Sequence, residues 1–157
     1  MREKRGFISI AANLVVLLVF IADQVIKHLI LKYVGSLGHL RICGGFVDFS
    51  VVKNTGMGFG ILGNHQLVVV VLVSILAPAG LLAMNFVRSL TPGERISAAL
   101  IVGGAFGNLA DRICRGAVVD YVGINFFRFS PFNFADVCIC LGCFLLLFSV
   151  LAGGRKV

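Results

Sequence analysis

Long apolar runs alternate with short polar stretches along this chain, and the runs have the length of membrane-crossing helices. A bilayer's hydrocarbon core takes about 20 mainly apolar residues per helix. Four stretches meet that requirement, at about residues 8–31, 67–87, 96–113 and 134–153. The first is uncharged until Asp23, the second carries no charge, the third meets its first charge at Asp111, and the fourth has Asp136 alone. Residues 35–63 are too polar and glycine-rich to cross, and residues 34–64 and 114–133 are read as the segments outside the cytoplasm. Residues 46–53 (FVDFSVVK) are β-branched and aromatic, which predicts a strand, and residues 54–58 (NTGMG) predict a turn after it. Thr91 followed by Pro92 predicts an N-cap and first turn for the third helix. The pattern predicts one membrane domain over residues 1–157, all-α in its spans, with four transmembrane helices.

Composition agrees. The chain is 59% hydrophobic and 13% charged, with a mean hydropathy of +1.01. Soluble domains are nearer half apolar and a quarter charged. The net charge of +7 does not point to nucleic acid, because no soluble basic face with interleaved aromatics can be drawn. Arg2, Lys4 and Arg5 ahead of an apolar run also resemble a secretion signal, but no small-x-small cleavage site follows, so the run is read as a retained first span. Four spans put both termini on one side. Positive-inside bias assigns the cytoplasm to Arg2, Lys4, Arg5, the Arg88/Arg95 loop and Arg155-Lys156, although as many Lys and Arg fall elsewhere. Cys43, Cys114, Cys138, Cys140 and Cys143 include one C-x-x-C, with no neighbouring His or Asp to complete a metal site; they are read as small buried hydrophobes.

Chemistry enters with the carboxylates. Because spans alternate in direction, Asp23, Asp111, Asp120 and Asp136 all fall at the outer membrane boundary. An ionisable residue within a span marks function by default; the competing reading of each Asp alone is a structural ion pair. Asp23 with Lys27, and Asp111 with Arg115, are spaced i,i+4 and so share helix faces, as do Asn108 and Arg112. Asp120 and Asp136 have no basic residue within four positions. Two such carboxyls in a partly dry site cannot easily both ionise, which is the electrostatic basis of an aspartic-protease dyad. Asn133 can cap the fourth span and so favour charge on Asp136, leaving Asp120 as the proton-bearing partner. Gly58 to Gly63 spell G-x-G-x-x-G, but a membrane span follows rather than a βαβ unit, which excludes a dinucleotide site. Gly103 and Gly107 form G-x-x-x-G, a close-packing signal. Phe126, Phe127, Phe129 and Phe132 suit an interfacial segment or a lining for a lipid-bearing substrate.

Taken in order, Asp23-Gln24-x-x-Lys27, Asn54-Thr55-Gly56-x-x-Phe59, Gly103-Gly104-Ala105-Phe106-Gly107-Asn108-x-x-Asp111-Arg112, Gly116-x-Val118-Val119-Asp120 and Phe132-Asn133-x-Ala135-Asp136 resemble the motifs of the lipoprotein signal peptidases (signal peptidase II). The resemblance runs from the first span to the fourth. It implies an aspartyl endopeptidase of the bacterial inner membrane that removes the signal peptide of diacylglyceryl-modified prolipoproteins, cutting before the lipidated cysteine. Asp120 and Asp136 would be the catalytic dyad. Asn54, Gly56, Asn108, Asp111, Arg112 and Asn133 would support or bind at the site, and Asp23 and Lys27 would be structural or help hold the peptide. The extracytoplasmic segment would form a small β-cradle with a short helix. No metal or organic cofactor is implied; the partners would be the prolipoprotein and membrane lipid, with no nucleic acid, and the protein is expected to be a monomer. Met57-Gly58, Tyr121 and the absence of Trp depart from the family's usual residues. Two rival readings remain: a transport or proton-relay protein, and a non-catalytic membrane assembly factor presenting residues 35–63.

Overall fold

The computed structural model describes residues 2–56, 66–87, 89–125 and 130–152. Four long helices and three short strands follow one another as α1 (Arg2–Leu37), β1 (His39–Ile42), β2 (Val47–Asn54), α2 (Gln66–Phe86), α3 (Pro92–Arg115), β3 (Val118–Ile124) and α4 (Phe134–Ala152). All four helices are long and apolar enough to cross a bilayer. Met57, Gly58, Phe59 and the rest of the glycine-rich run to Gly63, with His65, Arg88, Phe126, Phe127, Phe129 and the Arg155-Lys156 tail, lie outside the described residues.

The helices start and stop for local reasons. α1 runs past the expected end of its apolar stretch because nothing from Lys32 to Leu37 interrupts it; it stops where Gly38 turns to φ +81°, with the Gly38 N–H on the Val34 carbonyl at 3.0 Å. Its last turns therefore deliver β1 beyond the apolar span. α3 begins with a capping box. Thr91 Oγ1 accepts the Glu94 N–H at 3.2 Å, while the Glu94 carboxylate accepts the Thr91 N–H at 2.7 Å, with Pro92 in the first turn. The same end of the bundle is closed by Arg95, whose guanidinium donates to the Met84 carbonyl and to the Val87 carbonyl at the end of α2. Gly116, at φ +73°, ends α3 and turns the chain into β3.

α3 is the hub. Over its most apolar 18 residues, 56% are buried, against 17–22% in the other three helices, whose outer faces are left for lipid. It packs against α1, α2 and α4, and glycines allow the approach. A Cβ at Gly104 would lie 2.6 Å from the Ala135 carbonyl oxygen of α4, and one at Gly107 would lie 2.5 Å from a carboxylate oxygen of Asp23 on α1. The close-packing signal of Gly103 and Gly107 is met on the α1 side. Away from these contacts, Ala12, Val16, Met84, Ala99 and Val102 form the apolar core between α1, α2 and α3.

The strands form one antiparallel sheet in the order β1-β2-β3, with Val47 opposite Ile124 and Asn54 opposite Val118. This is the expected small cradle. A short 3-10 helix, Cys43–Gly45, stands between β1 and β2. The cysteines differ from expectation: Cys138 alone is buried, and Cys43, Cys114, Cys140 and Cys143 are exposed. On α4 the exposed face is a lipid-facing one, where a thiol carries no penalty for apolar surroundings. Gly107→Ala is expected to destabilise the protein by about 1–3 kcal/mol through overpacking against Asp23, whereas Gly93→Ala, where a Cβ meets nothing within 4 Å, is expected to be neutral; thermal unfolding in detergent measures both.

Candidate active site

One ammonium group organises the polar end of the bundle. Lys27 Nζ lies 2.8 Å from Asp23 Oδ2 and 2.8 Å from Asp111 Oδ2, with all three side chains fully buried, and donates to Asn108 Oδ1 at 3.0 Å. Each carboxylate then uses another lone pair on a backbone amide. Asp23 Oδ1 accepts the Ala135 N–H at 3.2 Å, and Asp111 Oδ2 accepts the Val119 N–H at 3.1 Å. Ala135 immediately precedes Asp136, and Val119 immediately precedes Asp120. Lys27 therefore anchors, through two carboxylates, the two backbone points next to the expected dyad. Arg115 pairs with Asp111 from the exposed side and donates to Gln24 Oε1 at 2.9 Å; the Gln24 amide in turn reaches Asp23 and the Gly107 carbonyl.

Three asparagines connect this scaffold to the other two carboxyls. Asn133 Nδ2 donates to Asp120 Oδ1 at 2.7 Å and to Asn108 Oδ1 at 3.1 Å. Asn108 Nδ2 donates to Asp136 Oδ1 at 2.8 Å, and Asn54 Nδ2 donates to Asp120 Oδ2 at 2.8 Å. The start of α4 is a capping box: Asp136 N–H donates to Asn133 Oδ1 at 3.0 Å, and Asn133 N–H donates to Asp136 Oδ2 at 3.1 Å. Asp136 thus sits in the first turn of α4, where the helix dipole favours negative charge. Asp120, 2% exposed on β3, is in the opposite situation. Burial pushes its carboxyl up, and the negative charge of Asp136 adds to this; the bonds from Asn54 and Asn133 pull the other way, and the result is about 6.

Asp120 and Asp136 open onto the same cavity, of about 800 Å³, between α2, α3, α4 and the sheet. Its polar end holds the two carboxyls with Asn54, Asn108 and Arg112; its walls continue along Val69, Val73, Val137, Cys140, Leu141 and Phe144 into apolar surface at the level of the spans. Arg112, nine-tenths buried, donates to the Gly56 carbonyl at 2.7 Å and to the Asn108 carbonyl at 3.2 Å, and its charge faces Asp136 and Asp120. Gly56 is tied down a second time, its N–H donating to Asn54 Oδ1 at 2.9 Å. Among the described residues, no three His, Cys, Asp or Glu side chains group as a metal site.

All ten residues singled out in the sequence meet at this end of the bundle: Asp23, Lys27, Asn54, Gly56, Asn108, Asp111, Arg112, Asp120, Asn133 and Asp136. The i,i+4 pairs Asp23–Lys27 and Asp111–Arg115 form as expected. Asn108 and Arg112 meet instead through the Asn108 main chain. Two residues were given no role from the sequence. Gln24 bonds α1 to α3; its signal was a second polar residue beside Asp23 in an apolar run. Tyr121 is buried, and its hydroxyl accepts the Phe134 N–H at 3.0 Å.

A family model described as signal peptidase (SPase) II matches residues 15–152. The lipoprotein signal peptidase of Symbiobacterium thermophilum is 36% identical, over 87% of this chain and 91% of that protein. That of Moorella thermoacetica is 35% identical, over 88% of this chain and 91% of its own length. A solved structure described as a bacterial membrane enzyme, obtained by the in meso method, superposes with a TM-score of 0.81 at 25% identity, covering 93% of this chain and 90% of that one. Family match, relatives and fold agree with the buried carboxylate site, and the chain belongs to the signal peptidase II family.

Proposed function

We propose that Asp120 and Asp136 are the dyad with which this protease of the signal peptidase II family cuts signal peptides from prolipoproteins. The observation that carries the reading is that both carboxyls face one cavity, polar where they stand and apolar beyond. They are tied to each other through Asn133, which bonds to Asp120 by its side chain and to Asp136 by a capping box.

The environments divide the labour. Asp136, on a helix N-terminus and bonded by Asn108 and the Asn133 N–H, is suited to be the ionised base. Asp120, raised to about 6, is suited to hold the shared proton. Water between them loses a proton to Asp136 as its oxygen attacks the scissile carbonyl. Asp120 donates its hydrogen bond, then its proton, to the carbonyl oxygen. The tetrahedral diol collapses when Asp120 takes that proton back and Asp136 passes its own to the departing amine. The C–N bond breaks, and both carboxyls return to their starting states.

The cavity also supports the finer substrate reading. A diacylglyceryl-modified cysteine and an apolar signal helix would lie along the lipid-level wall formed by Val69, Val73, Leu141 and Phe144, with the peptide bond before that cysteine at the polar end. That arrangement fits a bacterial inner-membrane protein with both termini in the cytoplasm and its site at the outer face, working as a monomer with prolipoprotein and membrane lipid as partners and without a metal or organic cofactor. A transport path is less suited, because the carboxylates gather at one end and the opposite end carries Glu94 and Arg95, both engaged at helix ends.

Asp120→Asn and Asp136→Asn are each expected to lower kcat/KM on a lipid-modified prolipoprotein by about 10²–10⁴-fold or more, with the protein folded and inserted. Near-wild-type cleavage by either variant sinks the dyad. The pH dependence has a defined sign. Asp120 holds its proton below about 6 and loses it above, so kcat/KM, which reports free enzyme, is expected to fall as pH rises through that value. Substrate filling the cavity expels water and raises the carboxyl further, so the corresponding limb of kcat is expected at higher pH. Coincident limbs would show that the titrating group does not line the cavity.

A further inference from the structure

The first turn of α4 leaves its N–H groups without partners inside the helix. Three of them are met by side-chain oxygens from three places: Phe134 N–H by the Tyr121 hydroxyl on β3, Ala135 N–H by Asp23 on α1, and Asp136 N–H by Asn133 at the helix's own cap. Asp23 and Asn133 belong to the charge scaffold described above. Tyr121 contributes something separate. Successive residues of a strand point to opposite faces, yet Asp120 and Tyr121 both reach the start of α4, Asp120 through Asn133 and Tyr121 through Phe134. Two consecutive residues of β3 thus grip two consecutive residues of the α4 N-terminus. The main chain of β3 already pairs with Phe132, just before the cap, through the Tyr121 and Val122 N–H groups and the Val122 carbonyl; the two side-chain contacts carry that pairing into the helix itself, on the strand that holds Asp120.

In this chain a hydroxyl makes the contact. Tyr121 is 5% exposed, so a phenyl ring in its place would leave the part-buried Phe134 N–H without this acceptor. Burial, with the charges of Asp23 from α1, Asp136 from α4 and Asp120 on its own strand, pushes the phenol up to about 12. It stays neutral throughout the working range and exchanges no proton with the reaction.

We propose that Tyr121 is a positioning residue for the hydrolysis: by accepting the Phe134 N–H, its hydroxyl fixes the first turn of α4 on β3 and sets Asp136 at its working distance from Asp120. The inference rests on the dyad reading above and goes beyond it. Two variants test it by removing the same hydrogen bond from opposite ends. Tyr121→Phe removes the acceptor and orphans a part-buried donor. Phe134→Pro removes the donor at the first helical position, where proline is well tolerated, and orphans no N–H. Both are expected to lower kcat on a lipid-modified prolipoprotein by about 10-fold or more, with KM within about twofold, because reacting groups misplaced by a fraction of an ångström lose rate rather than affinity. Both are also expected to move the descending limb of kcat/KM to lower pH. Asp136 withdraws the charge that raises Asp120, while Lys27 on α1 and Arg112 on α3 still face that carboxyl.

Wild-type kcat and pH profile in both variants would overturn the proposal, whatever happens to thermal stability. A loss confined to Tyr121→Phe would also overturn it, because an orphaned donor, not lost positioning, would then be the cause. Asp120→Asn and Asp136→Asn, run in the same assay, keep the two readings apart: activity in those variants removes the dyad, while their inactivity beside normal Tyr121→Phe and Phe134→Pro enzymes removes Tyr121 alone.

Discussion

A lysine ammonium buried between α1 and α3 is the interaction on which this site depends. Removing Lys27, Asp23 and Asp111 from water costs several kcal/mol per ion, and only close pairing with further hydrogen bonds offsets it. Here the offset is complete in geometry. Lys27 is 2.8 Å from each carboxylate and bonds to Asn108, and both carboxylates also accept backbone amides. Such a cluster adds little net stability compared with a well-packed apolar core, but it tolerates few alternative arrangements. Loss of any one member strands a charge. Its value lies in specification: it fixes the chain at Val119 and Ala135, each one residue before a carboxyl of the proposed dyad.

The packing of α3 follows from this need. For Asp23 on α1 to reach the amide of Ala135 on α4, both helices must lie almost against the backbone of α3. Gly107 leaves the room for the Asp23 carboxylate and Gly104 leaves it for the start of α4. A helix with larger residues at those two positions would hold its neighbours further away and break the chain of bonds from Lys27. Glycine is unfavourable in a soluble helix, but in a membrane bundle close approach of backbones supplies the dispersion and polar contacts that lipid cannot. The cost of glycine in α3 and the geometry of the carboxylates are one design.

What the sequence revealed divides along the same line. The spans were legible because lipid imposes a length and an apolar composition on any helix that crosses it. The i,i+4 pairs were legible because helix geometry fixes which side chains share a face, and Asn133 was legible as a cap from its place ahead of an apolar run. β2 was legible from its β-branched and aromatic residues. β1 and β3 were not. β1 has only four residues, all exposed, and the first four of β3 are buried on both faces, which removes the alternation that marks a strand. The links that build the site were also hidden. Asn108 to Asp136 and Asn133 to Asp120 join separate elements, and no local spacing encodes them. Tyr121 was read as a departure from a pattern, and its partner is a backbone amide, a group that leaves no trace in composition. Cys140 and Cys143 on α4 were misjudged for a related reason: burial in protein and burial in lipid impose the same composition.

Charge at this end of the bundle accounts for why one proton should be shared there. Among the described residues, four carboxyls, those of Asp23, Asp111, Asp120 and Asp136, face three cations, Lys27, Arg112 and Arg115. In a site largely closed to water, one uncompensated negative charge is expensive, and a single bound proton removes it. Asp23 and Asp111 are each held at salt-bridge distance from a cation, and each also accepts a backbone amide. Asp136 accepts from the Asn108 side chain and the Asn133 N–H at a helix N-terminus. Asp120 is the one carboxyl of the four on a strand, away from any helix N-terminus, with two neutral amide donors and no salt bridge among the described contacts. The arrangement that neutralises the cluster is therefore the one that acid–base hydrolysis needs at its start, with a protonated carboxyl opposite an ionised one. The structural ion pairs and the proposed chemistry are linked by that count: among the described residues three scaffold cations face four carboxyls, and the proposed dyad places the shared proton on the fourth.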